Sequence, residues 1–141
     1  MKSFEASSEI NASPEAIWAI LVDGANYPAW ESGVVGVSGK IANGATIKVV
    51  SAANPGRAFP VTVTEFNPGR SMTWSGGMPL GLFKGVRTFR LTPTGEGTTR
   101  FDLREEYSGP LLGLMWRSMP DLGPSFSQFA RGLKAHAERT P

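Results

Sequence analysis

The chain has 141 residues, with 14 Lys+Arg against 12 Asp+Glu, a formal net charge of +2, one histidine and no cysteine. The cysteine count excludes thiol nucleophiles, CxxC redox centres, thiolate zinc sites and disulfide-built scaffolds, and one histidine excludes a multi-histidine metal site within one chain. Two surplus positive charges do not point to nucleic acid, and the length suits one domain, residues 1–141, whose core needs neither disulfide nor metal.

In chain order, residues 3–10 alternate, placing Phe4, Ala6, Ser8 and Ile10 on one face of a half-buried strand instead of forming the apolar stretch of a signal peptide. Ser13 then caps a short helix that Pro14 and Glu15 open, with Ile17, Trp18 and Leu21 facing inward and Asp23-Gly24 ending it. The longest apolar run, Ala16–Val22, is far too short to span a bilayer, so no stable membrane insertion is expected. A cytoplasmic location is the default expectation. Asn26–Trp30 reads as a turn or a second short helix.

From Val34 to Tyr107 the pattern predicts antiparallel strands over 34–41, 45–53, 58–67, 70–77, 84–93 and 98–107, which with the first make seven. Asn43-Gly44 is a hairpin signal, Asn54-Pro55-Gly56 and Asn67-Pro68-Gly69 carry the Pro-then-Gly order of a type II turn, and Thr94–Gly97 is the last reversal. Beyond Gly109-Pro110 the period turns helical. Leu111, Leu112, Leu114, Met115, Trp116 and Met119 make an apolar patch, Pro120 and Pro124 interrupt the helix, and Phe126, Phe129, Ala130, Leu133 and Ala137 form one stripe.

The order of these elements predicts an α+β fold in which a curved antiparallel sheet wraps a long C-terminal helix. One helix is only about 10–12 Å wide, whereas seven strands at about 4.8 Å each are much wider. The space beside the helix is therefore either filled by large side chains or left as a cavity. An empty void of about 300 Å³ would cost roughly 7 kcal/mol at about 24 cal/mol per Å³, so an open cavity has to be wet, occupied or edged with polar groups. Trp30, Trp74, Phe89, Phe101, Trp116 and Phe126 are the rings assigned to that space.

Register arithmetic on the last hairpin supplies the polar groups. With one bulged residue at the turn, Leu91 faces Phe101, Phe89 faces Leu103 and Arg87 faces Glu105, all on the inner side. The Arg87–Glu105 pair is either a polar anchor for a ligand or a structural salt bridge at the end of the sheet.

Several blocks then resemble one superfamily. Ser13-Pro14-Glu15…Trp18, Tyr27-Pro28-Ala29-Trp30, Thr73–Gly76, Gly85–Phe89, Arg104–Gly109 and Met119–Leu122 leading into Ser125-Phe126 are similar, in order and spacing, to the START/polyketide-cyclase/Bet v 1-like proteins (SRPBCC, the helix-grip fold). The resemblance covers about residues 3–138. It implies a deep apolar cavity between sheet and long helix for lipids, polyketides, hormones or similar molecules, and it does not imply a reaction. In the aromatase/cyclase branch, polar pocket residues act on tethered polyketides. Here Arg87 and Glu105, with Tyr107 or Tyr27, are the matching candidates, and Arg87 stands where similar sequences often carry histidine.

Other chemistry is weakly supported. His136 lies near the chain's end and no GxSxG motif accompanies it. Glu105 and Glu106, adjacent on a strand, point to opposite faces and cannot share a substrate. Gly76-Gly77 and Gly81 lack the rest of a phosphate-loop motif, while Met78, Leu80, Leu82 and Phe83 make their segment too apolar for an ordinary loop: a cavity lid, a partner contact or a packed loop.

The reading is a cofactor-free binder of a small hydrophobic ligand, monomer or homodimer, with no metal. Trp74, Phe89, Phe101, Leu103, Trp116, Met119 and Phe126 shape its pocket, Tyr27, Trp30 and Tyr107 border it, and Arg87 and Glu105 anchor the ligand. The rivals are a cyclase or dehydratase using the same polar residues and a protein-interaction module such as a chaperone regulator.

Overall fold

In the computed structural model, which describes residues 2–52, 55–118 and 121–139, the strands are β1 (Lys2–Ile10), β2 (Val34–Ser38), β3 (Thr46–Ser51), β4 (Ala58–Asn67), β5 (Ser71–Gly77), β6 (Lys84–Gly95) and β7 (Thr98–Ser108). They form one curled antiparallel sheet in the order β1-β7-β6-β5-β4-β3-β2. Helix α1 (Pro14–Leu21) and a 3-10 helix (Gly24–Trp30) follow β1; α2 (Leu112–Ser118) and α3 (Gly123–Arg139) follow β7. This is the helix-grip arrangement that the element order predicted.

Local chemistry explains the boundaries. Ser13 Oγ accepts from the Ala16 amide at 3.2 Å, so α1 starts where the capping residues place it. Asn26–Trp30 is helical, and the turn stops at Glu31, whose φ of 56° is left-handed. Gly69, with φ of 78°, sits in the β4–β5 turn that the Arg70 amide closes on the Asn67 carbonyl at 2.9 Å. β2 ends at Ser38, short of the expected 41, because Gly39 turns with φ of 100°. Of the predicted Asn54-Pro55-Gly56 turn, Asn54 lies outside the described residues.

Two irregularities help the sheet to curl. A bulge between Thr64 and Asn67 in β4 carries Glu65 at φ of 48° and turns Phe66 onto Trp18 of α1, ring centroids 5.3 Å apart. A second bulge lies between Val34 and Gly36.

The cover over the concave face is shared, not carried by the long helix alone. α3 runs along β1: Lys134 Nζ donates to the Glu9 carbonyl at 2.7 Å, the Asn11 amide donates to Glu138 at 2.8 Å, and Ser8 Oγ donates to the Ala130 carbonyl at 3.4 Å. The 3-10 helix covers the β2 side and meets α3 at Gly132, where a Cβ would stand 2.4 Å from the Trp30 carbonyl oxygen. Only a glycine allows that approach. The predicted stripe of Phe126, Phe129, Ala130, Leu133 and Ala137 is buried throughout.

Candidate functional site

β6 and β7 pair as the register arithmetic required: Leu91 with Phe101, Phe89 with Leu103 and Arg87 with Glu105, with the bulge between Pro93 and Gly95. Because alternate residues share a face, burying Phe89, Leu91, Phe101 and Leu103 forces Arg87 and Glu105 inward too. Arg87 Nε donates to Glu105 Oε1 at 2.6 Å, with the side chains 22% and 16% exposed. The guanidinium carbon lies 4.8 Å from the Phe126 ring centroid, a cation–π contact across to α3.

Around this pair the rings fall into two groups. On the open side, Tyr107 stands 5.9 Å from Trp116, 6.1 Å from Phe4 and 6.0 Å from Phe83, and Phe4 lies 5.3 Å from Trp116 and 5.8 Å from Phe126. Phe4, Phe83 and Trp116 remain partly exposed, whereas Tyr107 and Phe126 are buried. On the closed side, Tyr27, Trp30, Trp74, Phe89, Phe101 and Phe129 meet with centroids 4.7–6.2 Å apart. Arg87 joins the groups, since its cross-strand partner on the other side is Trp74.

Among the described residues, then, the space beside α3 at the centre of the sheet is occupied by rings. Two hollows of about 310 Å³ each open at the surface instead, one bordered by Pro14, Trp18, Pro68, Arg70 and Pro93, the other by Ser75, Gly76, Met78, Phe83 and Lys84. The alternative of a filled interior prevails because Phe129 projects from α3 into the gap and meets four of those rings.

The interior is not fully satisfied. Trp30 and Trp74 bury their indole N–H groups with no acceptor among the described residues. Such a donor costs about 1–3 kcal/mol and calls for an explanation. Tyr27 lies between these two rings and is satisfied, its hydroxyl donating to the Leu21 carbonyl at 2.5 Å. Burial raises the pKa of Tyr27 strongly, against a smaller lowering by Arg87. Tyr107 is also raised, by burial first and then by the Glu105 charge. Both tyrosines are neutral at ordinary pH, and the Arg87–Glu105 pair with Tyr107 beside it makes one polar patch within an aromatic wall.

Of the predicted site residues, Arg87 and Glu105 form the pair, Tyr107, Trp116 and Phe126 stand on the open side, Tyr27, Trp30, Trp74, Phe89 and Phe101 on the closed side, Leu103 is buried on β7 opposite Phe89, and Met119 lies outside the described residues. Sequence reasoning did not assign Phe4 or Gly85 to the site, and it gave Phe83 only as part of a cavity lid, a partner contact or a packed loop. Phe4 was legible as an inward residue of β1 at the register position facing Glu105. Gly85 carried a signal of its own, a glycine within a strand: a Cβ there would stand 2.8 Å from Glu105 Oε2.

Solved structures share this fold. A START superfamily protein from Mycobacterium smegmatis matches with a TM-score of 0.74 at 18% identity, over 99% of each chain. The Aha1 dimer from Colwellia psychrerythraea matches at 0.73 and 21% identity, over 98% of this chain and 97% of that one. The di-domain ARO/CYC BexL from the BE-7585A biosynthetic pathway matches at 0.74 and 16% identity, over 100% of this chain and 48% of its own. At these identities the likeness is one of fold. No curated protein matches the sequence. The family model described as polyketide cyclase / dehydrase and lipid transport matches residues 1–138, and with the curled sheet, the gripped helix and the inward polar pair in place, the chain belongs to that family.

Proposed function

We propose that the chain binds a small hydrophobic molecule carrying a carboxylate or carbonyl group, at the Arg87 end of the sheet. The observation that carries this reading is the Arg87–Glu105 pair itself, set on an aromatic inner face yet still reached by solvent. An ion pair in such a place adds little net stability, because desolvation offsets the attraction. Its value is recognition. With Nε held by Glu105, the terminal nitrogens of Arg87 are the donors assigned to the ligand's oxygen. Phe4, Phe83, Trp116 and Phe126 would flank the apolar body, and ligand entry would part the half-exposed rings. The acceptor-less indoles of Trp30 and Trp74 support a deeper polar contact, and Phe89, Phe101 and Leu103 would form the floor.

A second reading is supported by the place of Tyr107, two residues along β7 from Glu105 and on the same face as the Arg87–Glu105 pair. A neutral phenol next to a carboxylate and a guanidinium suits proton transfer at a polarised carbonyl, the chemistry of a cyclase or dehydratase. The family's description includes both classes.

Native mass spectrometry of the purified protein and displacement of a fluorescent fatty acid test the first reading. The expected result is an apolar adduct or saturable uptake, weakened about tenfold or more in Arg87→Gln for carboxylated ligands and little changed for neutral ones. A chain that arrives empty and takes up no dye overturns it. Turnover lost in Glu105→Gln with binding retained favours the enzyme.

A further inference from the structure

We infer that the apolar tip beside this site docks on an anionic lipid surface. The tip is the short connection between β5 and β6, with a tight turn at Pro79–Gly81 at its end. Leu80 there is 96% exposed and adopts a left-handed backbone, φ of 61°. A leucine in that conformation is strained, and its exposure recovers nothing within the chain. The loop is nonetheless closed: the Met78 amide donates to the Phe83 carbonyl at 2.8 Å and the Leu82 amide to the Pro79 carbonyl at 3.3 Å. The leucine is held out.

The surrounding surface continues the pattern. The Leu111 amide donates to the Leu82 carbonyl at 2.9 Å, which ties the tip to the start of α2, where Leu114 is 70% exposed. Met78 and Leu82 are 40% and 36% exposed. Cations ring this apolar group: Lys84 at the foot of the loop, Arg117 one turn along α2 from Leu114, and Lys2, whose ammonium lies 5.7 Å from the Trp116 ring. No acidic residue occurs between Glu65 and Glu96, or between Glu106 and Asp121. The nearby Glu5 and Glu106 are engaged by Arg104 at 2.8 and 3.0 Å on the outer face.

Isolated leucines on a projecting tip, with cations around them, match a bilayer interface better than a protein partner. A protein partner has to match a continuous surface of about 800 Å² from each side, whereas a membrane accepts single inserted side chains and attracts each nearby cation. The inference rests on the hydrophobic-ligand reading for its purpose, because docking brings Phe83 and Trp116 to the lipid, but its observations are separate.

Flotation with vesicles of phosphatidylcholine alone, and with about one-third phosphatidylserine, tests it. Binding is expected to rise several-fold with phosphatidylserine and to fall when salt reaches about 0.5 M. Leu80→Asn, whose side chain tolerates the left-handed backbone better, is expected to stay folded and to lose about tenfold in vesicle affinity. The pair Lys84→Glu with Arg117→Glu is expected to abolish the phosphatidylserine dependence. A native chain that does not float with anionic vesicles at low salt, or a Leu80→Asn variant that floats equally well, overturns the inference. Fatty-acid uptake without vesicles separates the two readings: uptake with no flotation sinks docking alone, and flotation with no uptake sinks the ligand reading alone.

Discussion

Arg87 spans from the sheet to the long helix, its guanidinium 4.8 Å from the Phe126 ring and its Nε 2.6 Å from Glu105. Removing either charge leaves the other facing rings. Arg87→Gln and Glu105→Gln are each expected to cost about 1–3 kcal/mol, below the value for a fully buried pair because both side chains are still wetted. The double variant Arg87→Gln with Glu105→Gln is expected to cost less than the two single changes together. Urea denaturation of the four proteins checks the coupling.

Gly132 offers a sharper stability test. Alanine is about 1 kcal/mol better than glycine in a helix interior. At this position its Cβ would stand 2.4 Å from the Trp30 carbonyl oxygen and 3.0 Å from that of Glu31. Gly132→Ala is therefore expected to destabilise by about 2 kcal/mol or more, while Gly113→Ala, with nothing near its Cβ position, is expected to be neutral or stabilising. Thermal melts of the pair give the comparison.

The two tyrosines predict an alkaline limit. They are the only tyrosines of the chain, and burial raises both above the ordinary value of 10.0. Above about pH 10 the unfolded chain loses phenolic protons that the folded chain retains, so stability present below that pH falls as pH rises. Near-ultraviolet absorbance is expected to show no phenolate until the protein unfolds, in a single step. Phenolate growing in before unfolding counts against both burials.

Period and turn chemistry carried most of the fold into the sequence, as Arg87 and Glu105 show. Their pairing followed from alternation along two strands and one bulge, without any knowledge of distant contacts. Phe129 shows where such arithmetic stops. Its inward direction was legible from the helical stripe, but its contacts with Tyr27, Trp30, Phe89 and Phe101 depend on how far α3 slides toward β1, which the anchors from Lys134 and Asn11 set. The tight contact at Gly132 was invisible for the same reason. A helical glycine signals nothing about the backbone packed against it.

Trp74→Phe keeps a ring and removes an indole N–H that has no acceptor among the described residues. Its cost is expected to stay near 1 kcal/mol, well under the about 3–5 kcal/mol of a large aromatic truncated in a core, because deleting an unsatisfied donor returns part of the loss. If a ligand oxygen reaches this nitrogen, the Trp74 indole proton resonance shifts on ligand addition, and Trp74→Phe binds more weakly.

The adjacency of β1 and β7 has a consequence for biosynthesis. Lys2 lies opposite Tyr107 and Ile10 opposite Thr99, so β1 finds its mate only after every residue between the two strands has been made. The hairpins from β2 to β7 can assemble in order of emergence, while the amino-terminal ribbon waits, its apolar side uncovered, until the last hairpin offers an edge and α3 closes over both. Docking of β1 on the exposed edge of β7 is thus expected to come late in folding, and the chain is most exposed to misassociation just before it.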